Sequence, residues 1–202
     1  MEARANLTHF LQAAHDLGLY VHLRLGPYID AAWDYGGYPS WINEALKRGA
    51  DYRELIQSYI TKVTDKVRSY LVSNGGPVIM LQIENEWSGR DTEGVDYAQW
   101  AIQMALKQDT GVPWTWCNNS QSPILKSYPG LIYTANAAMG PEHYIKGYSG
   151  KAFRSTVPLC GKNSAHPDNP CIWTEIEERC SQCRLKPPRI IVLVPIPCVP
   201  VL

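Results

Sequence analysis

The segment from Gly75 to Trp87, Gly-Gly-Pro-Val-Ile-Met-Leu-Gln-Ile-Glu-Asn-Glu-Trp, places the tightest limit on how this chain can fold. An apolar run so short, entered through two glycines and a proline, suits a strand buried on both faces, as in a parallel sheet. It opens directly onto two carboxylates and an amide. The C-terminal end of such a strand is where α/β enzymes carry their chemistry. The flanking sequence fits the same frame. Leu7, Phe10, Leu11, Ala14 and Leu17 recur at helical spacing and lead into a strand from Leu19 to Leu25. A long amphipathic helix is predicted over Tyr52 to Leu71, with Leu55, Ile56, Tyr59, Ile60, Val63 and Val67 on one face. A shorter helix around Tyr97 to Leu106 follows. Gly111 to Cys117, Leu131 to Asn136 and Cys171 to Glu175 are further strand candidates. Strands separated by helices favour a parallel sheet or a barrel.

Composition narrows the function. The 202 residues carry a formal net charge of zero, and lysines and arginines are scattered singly, so neither a nucleic acid nor an anionic membrane has a surface to bind. Seven tryptophans and twelve tyrosines supply planar faces of the kind that stack on sugars and wall concave pockets, although a core role is the commoner case for any one of them. No apolar N-terminal segment reads as a signal peptide or a membrane anchor.

Two long motifs carry a resemblance. Leu23-Arg24-Leu25-Gly26-Pro27-Tyr28-Ile29, continued by Trp33-Asp34-Tyr35-Gly36-Gly37-Tyr38-Pro39-Ser40-Trp41, resembles the signature of the family 35 glycoside hydrolases, the β-galactosidases. Gly75 to Trp87 is similar to that family's Gly-Gly-Pro-Ile-Ile-Met-x-Gln-Ile-Glu-Asn-Glu-Tyr. Gly111-Val112-Pro113-Trp114 with Cys117, and Pro170-Cys171-Ile172-Trp173-Thr174-Glu175, resemble two further segments of plant-type members. The resemblance runs from about Arg4 to Glu175.

It implies an α/β fold, a (β/α)8 barrel of which about five of the eight strands are present in residues 1–175, with 176–202 an irregular tail unrelated to the family. It also implies hydrolysis of terminal non-reducing β-D-galactose residues with retention of configuration. Such an enzyme needs one carboxyl to protonate the leaving oxygen and another, about 5 Å away, to attack the anomeric carbon. By the match Glu86 is the acid/base and Glu175 the nucleophile. Asn85 contacts the sugar 2-hydroxyl, Tyr28, Asp30, Ala31 and Asn136 complete the substrate site, and Glu84, on the strand face of Glu86, supports it. The substrates implied are β-galactosides and galactose-containing oligosaccharides or polysaccharides. The location implied is secreted, cell wall, vacuolar or lysosomal.

The chain departs from the pattern in places. Where the family reads Cys-Ala-Glu-Trp, it has Asp30-Ala31-Ala32-Trp33, so a glutamate that holds galactose hydroxyls is replaced by Ala32. The family barrel begins with strands preceding the first helix here, and the sequence after Glu175 leaves the family pattern. An inactive fragment or a carbohydrate-binding pseudoenzyme is therefore the alternative expectation. No metal or other cofactor is implied: the five histidines have no ligand spacing, and Cys180-x-x-Cys183 has no second pair to complete a zinc site. Cys160 and Cys171 could close a loop disulfide in a secreted protein. Asn6-Leu7-Thr8 and Asn118-Asn119-Ser120 match the glycosylation sequon.

Overall fold

A computed structural model describes residues 6–30, 34–38, 50–118, 125–137, 166–170, 172–176 and 191–195. Its elements in chain order are α1 (Leu7–Asp16), β1 (Tyr20–Gly26), a single turn α2 (Asp34–Gly37), α3 (Ala50–Val67), β2 (Val78–Ile83), α4 (Thr92–Leu106), β3 (Trp114–Asn118), β4 (Leu131–Ala137), β5 (Ile172–Ile176) and β6 (Ile191–Pro195). The six strands form one sheet in the order β5-β4-β3-β2-β1-β6, and every neighbouring pair is parallel. The chain is thus α/β, with five strands side by side in sequence order where five were expected. Among the described residues β5 and β6 are the two outer strands of the sheet.

Local signals explain the elements. The Asn6 side chain caps α1 by accepting from the His9 amide at 3.2 Å, and Asp91 caps α4 by accepting from the Gly94 amide at 2.8 Å. That second cap starts α4 a turn earlier than apolar spacing alone predicts, with Glu93 in the first turn where the helix dipole favours it. In α3 the buried stripe is Tyr52, Ile56, Ile60, Val63 and Val67, spaced by three and four residues. Leu55, expected on that face, is instead exposed, because it falls one position off the stripe.

The sheet has two unlike faces. Val21, Leu23, Leu25, Leu81, Ile83, Trp114, Trp116 and Tyr133 belong to the apolar core with the buried residues of α1, α3 and α4. On the alternate positions stand His22, Arg24, Gln82, Thr115, Cys117 and Thr134, all buried as well. They pair among themselves: His22 Nε2 with Thr115 Oγ1 at 2.8 Å, Thr134 Oγ1 with Thr174 Oγ1 at 2.8 Å, and Thr174 Oγ1 onto Cys117 Sγ at 3.1 Å. His22 and Arg24 thus belong to buried polar packing on this second face.

Two expectations are corrected here. The tail, expected to be irregular, supplies β6, which pairs with β1 from Tyr20↔Ile191 to Arg24↔Pro195; the run Ile190-Ile191-Val192-Leu193-Val194 is β-branched and apolar enough to seek a strand edge. Asn118 of the second sequon is buried in β3, where its Oδ1 accepts from Trp116 Nε1 at 3.1 Å, so a glycan has no access to it in this fold. Ala31, Ala32, Cys160, Cys171, Cys180 and Cys183 lie outside the described residues. No helix among the described residues is long and apolar enough to cross a membrane.

Candidate active site

Because β1 to β5 all run the same way, their C-terminal ends lie along one edge of the sheet, and the predicted residues Tyr28, Asp30, Asn85, Glu86 and Asn136 lie at that edge. β2 ends at Ile83, and Glu84-Asn85-Glu86 leaves it as a bend. Glu84 and Glu86 both have positive φ, 56° and 52°, a left-handed conformation that costs a residue bearing a Cβ roughly 1 kcal/mol or more. Neighbouring groups hold it in place. The Glu84 amide donates to Gly26 O at 2.8 Å and the Glu86 amide to Cys117 O at 3.1 Å, stitching the bend to the strands on either side. From below, Gln82 Nε2 donates to Glu84 O at 2.8 Å and to Asn85 Oδ1 at 3.1 Å.

This bend overturns the expectation that Glu84 and Glu86 share a face, since strand alternation stops where the backbone ceases to be extended. The two carboxylates enter different surroundings. Glu84 is buried and accepts at Oε1 from the hydroxyls of Tyr97 in α4 and, at 3.5 Å, of Tyr38. Tyr52 of α3 donates to the Tyr38 hydroxyl at 2.6 Å. Burial pushes the Glu84 carboxyl up to about 7, against the lowering effect of the Tyr97 and Tyr38 hydroxyls and of the amides of Tyr28 and Asn85. The Tyr97 hydroxyl is itself held well above its ordinary range, by burial first and then by the Glu84 charge.

Glu86 is half-buried and meets β4. Asn136 Nδ2 donates to Glu86 Oε1 at 2.9 Å and lies 3.4 Å from Asn85 Oδ1. Across the β4–β5 pairing the Cα partner of Asn136 is Glu175. The structure therefore brings together Asn85, Glu86, Asn136 and the backbone of Glu175; beyond that register Glu175 lies outside what is described. Tyr28 and Asp30 sit on the loop after β1, where the Tyr28 hydroxyl donates to Asp30 Oδ1 at 2.9 Å. Burial, the Asp30 contact and the charges of Asp30, Glu86 and Glu84 push that hydroxyl up to about 12. Gly36 makes room for it. A Cβ at Gly36 would lie 2.0 Å from the Tyr28 ring, and its φ of 79° suits glycine alone.

Several polar atoms at this edge are left over. Among the described residues Asn85 Nδ2, Asn136 Oδ1 and Gln82 Oε1 are buried without a hydrogen-bond partner. Each such atom costs about 1–3 kcal/mol unless something satisfies it, and a ligand rich in hydroxyls would. Cys117, beside them, is no competing nucleophile, because burial pushes its thiol up to about 12. Sequence reasoning missed Gln82, Tyr38, Tyr52 and Tyr97. The available signal was a hydroxyl on the buried stripe of α3 and another on that of α4, positions where a tyrosine needs a polar partner.

The frame is a parallel α/β sheet with glutamates at the C-terminal ends of two strands and unpartnered amide atoms along that edge. Comparison with known proteins agrees. The sequence pattern of the glycosyl hydrolases family 35 matches residues 1–182, and the chain belongs to that family. It is 37% identical over 175 residues to beta-galactosidase 6 of Oryza sativa subsp. japonica, covering 78% of this chain and 20% of that protein. It is 36% identical over 165 residues to beta-galactosidase 8 of Arabidopsis thaliana, with 74% and 19% covered. With probable beta-galactosidase 2 of Dictyostelium discoideum it shares 36% identity over 136 residues, 61% of this chain and 18% of that protein. The chain spans about a fifth of the length of these relatives.

Proposed function

We propose that this chain carries the catalytic centre of a retaining β-galactosidase, built on part of a (β/α)8 barrel whose interior is the polar face of the sheet. Glu86 protonates the departing glycosidic oxygen and then, as carboxylate, takes a proton from the attacking water. Glu175 attacks the anomeric carbon and forms the covalent galactosyl-enzyme that this water hydrolyses. Asn85 and Asn136 offer their free Nδ2 and Oδ1 to sugar hydroxyls, and Tyr28 and Asp30 border the pocket from the β1 loop. Substrates are galactose-ended oligosaccharides or polysaccharides, met in the cell wall, the vacuole, the lysosome or outside the cell. The single observation that carries this reading is Asn136, which hydrogen-bonds Glu86 from β4 while standing opposite Glu175 in β5. One residue spans the two carboxylate positions.

The test is a chimaera in which residues 6–176 replace the matching segment of the rice relative. Hydrolysis of an aryl β-galactoside, abolished by Glu175→Gln, with mass spectrometry finding a 2-fluorogalactosyl label on Glu175, is the expected result. A labelled peptide lacking Glu175, or turnover that survives the substitution, overturns the reading.

A further inference from the structure

We propose that Glu84 is a positioning residue: gripped by Tyr97 of α4 and by Tyr38, it fixes the left-handed bend that aims Glu86 at Asn136, and its protonation state reaches the Glu86 loop through Tyr97 and Trp87. The inference rests on the reading of Glu86 as the acid/base and assigns that reaction a group outside the cleft.

The geometry is a short relay. Tyr97 donates to Glu84 Oε1 and its ring lies 4.6 Å, centroid to centroid, from the ring of Trp87. Trp87 is the residue after Glu86, and its Nε1 is tied to Gly94 O at 2.9 Å, in the first turn of α4. Tyr52 packs between Tyr38 and Tyr97, at centroid distances of 6.1 and 5.8 Å. The bend is thus held at its start by a carboxyl and at its end by an indole, both fastened to α4. Glu84 Oε2 is buried and has no hydrogen-bond partner among the described residues, so the cage is built around one oxygen and leaves the other as the place for a proton. The ionisable groups around Glu84 are Tyr97 from α4, Tyr52 from α3, Tyr38 after α2, and, on the loops beside it, Tyr28, Asp30 and Glu86. The Tyr97 and Tyr28 hydroxyls are both held above their ordinary range. Glu84 itself, raised by burial to about 7, is the group of the cage that titrates near neutrality. When it ionises, the Tyr97 hydroxyl bond becomes charge-assisted and shortens, which draws Tyr97 away from Trp87.

The experiment is a pH titration of Trp87 fluorescence in the 202-residue chain, taken as the difference from its Trp87→Phe variant to remove the other six tryptophans. A transition centred near pH 7 is expected, absent in Glu84→Gln. In Tyr97→Phe, which keeps the cage's shape but loses a hydrogen bond to the charged form, the transition moves up by about one pH unit. In the galactosidase chimaera Glu84→Ala lowers kcat by about a hundredfold, with KM changed by less than about threefold, as expected for a misaimed group. A flat Trp87 titration, one that persists in Glu84→Gln, or a Glu84→Ala enzyme with undiminished kcat overturns the inference. An undiminished kcat in Glu86→Gln overturns instead the acid/base reading beneath it, and leaves the Trp87 titration standing as a property of Glu84.

Discussion

Glu84 and Glu86 are two residues apart on one bend, yet one is sealed among tyrosines on the helical side and the other faces an asparagine at the open edge. Identical side chains therefore acquire different work from what surrounds them. In the cage, burial opposes ionisation and the hydroxyl donors favour it, and burial outweighs them, raising the carboxyl to about 7. At the edge, Glu86 accepts from a neutral amide, with unpartnered amide atoms beside it. On the proposed reading, the site is divided into a part that holds and a part that reacts.

The largest effect that would break this division lies in the reacting half. In the chimaera, Glu86→Gln is expected to lower kcat for a substrate with a poor leaving group by about 10²–10⁴, as loss of a general acid does. Substrates whose aglycone leaves without a proton should suffer far less in the glycosylation step. Equal losses for good and poor leaving groups would place Glu86 with Glu84 as a support.

A middle-sized effect sharpens it. Asn136→Ala removes the donor to Glu86 and the neighbour of Asn85, and a loss of about tenfold to a hundredfold in kcat/KM is expected. If steady-state kinetics show no loss, Asn136 does not tie the two carboxylate strands together.

The last effect concerns stability. Burial, followed by the charge of Arg24, lowers His22 from 6.5 to about 4, so its neutral form stabilises the fold fully above pH 6.5 and that contribution is lost as pH falls toward 4. Glu84, raised from 4.5 to about 7, contributes in the opposite sense, fully below pH 4.5 and progressively less as pH rises through 7. Each shift is worth roughly 3 kcal/mol at full extent, and between pH 4.5 and 6.5 the two slopes oppose. Urea midpoints of the 202-residue chain should be nearly level across that window. His22→Gln should unmask a decline toward higher pH, and Glu84→Gln a decline toward lower pH. Parallel curves for all three chains would refute both assignments.

Much of the sheet was legible because its strands are short apolar runs bounded by turn residues, as β1 is by Gly26-Pro27 and β2 by Gly75-Gly76-Pro77. The predicted Leu19 to Leu25 became Tyr20–Gly26, and Leu131 to Asn136 became Leu131–Ala137. Helix length was less legible, since the Asp91 cap lies beyond the apolar periodicity of α4. Of the site, the grouping of Asn85, Glu86 and Asn136 followed from the motifs, whereas the separation of Glu84 from Glu86 did not. The φ reversals at Glu84 and Glu86 are held by hydrogen bonds that their amides donate to Gly26 O and Cys117 O, residues remote in sequence. The tyrosine cage was hidden for the same reason. Tyr38, Tyr52 and Tyr97 each read as ordinary core until three parts of the chain meet at one oxygen.

Strand β6 gives the sheet two unequal margins. The hydrogen-bonding rail of β1 is occupied along its length by the chain's own apolar tail, in parallel register from Tyr20 to Arg24, while β5 is paired on its β4 side alone among the described residues. A further parallel strand could dock at β5 by simple addition. At β1 it could enter only by exchange, evicting β6, so growth of this sheet toward a closed barrel is a matter of addition at one margin and competition at the other.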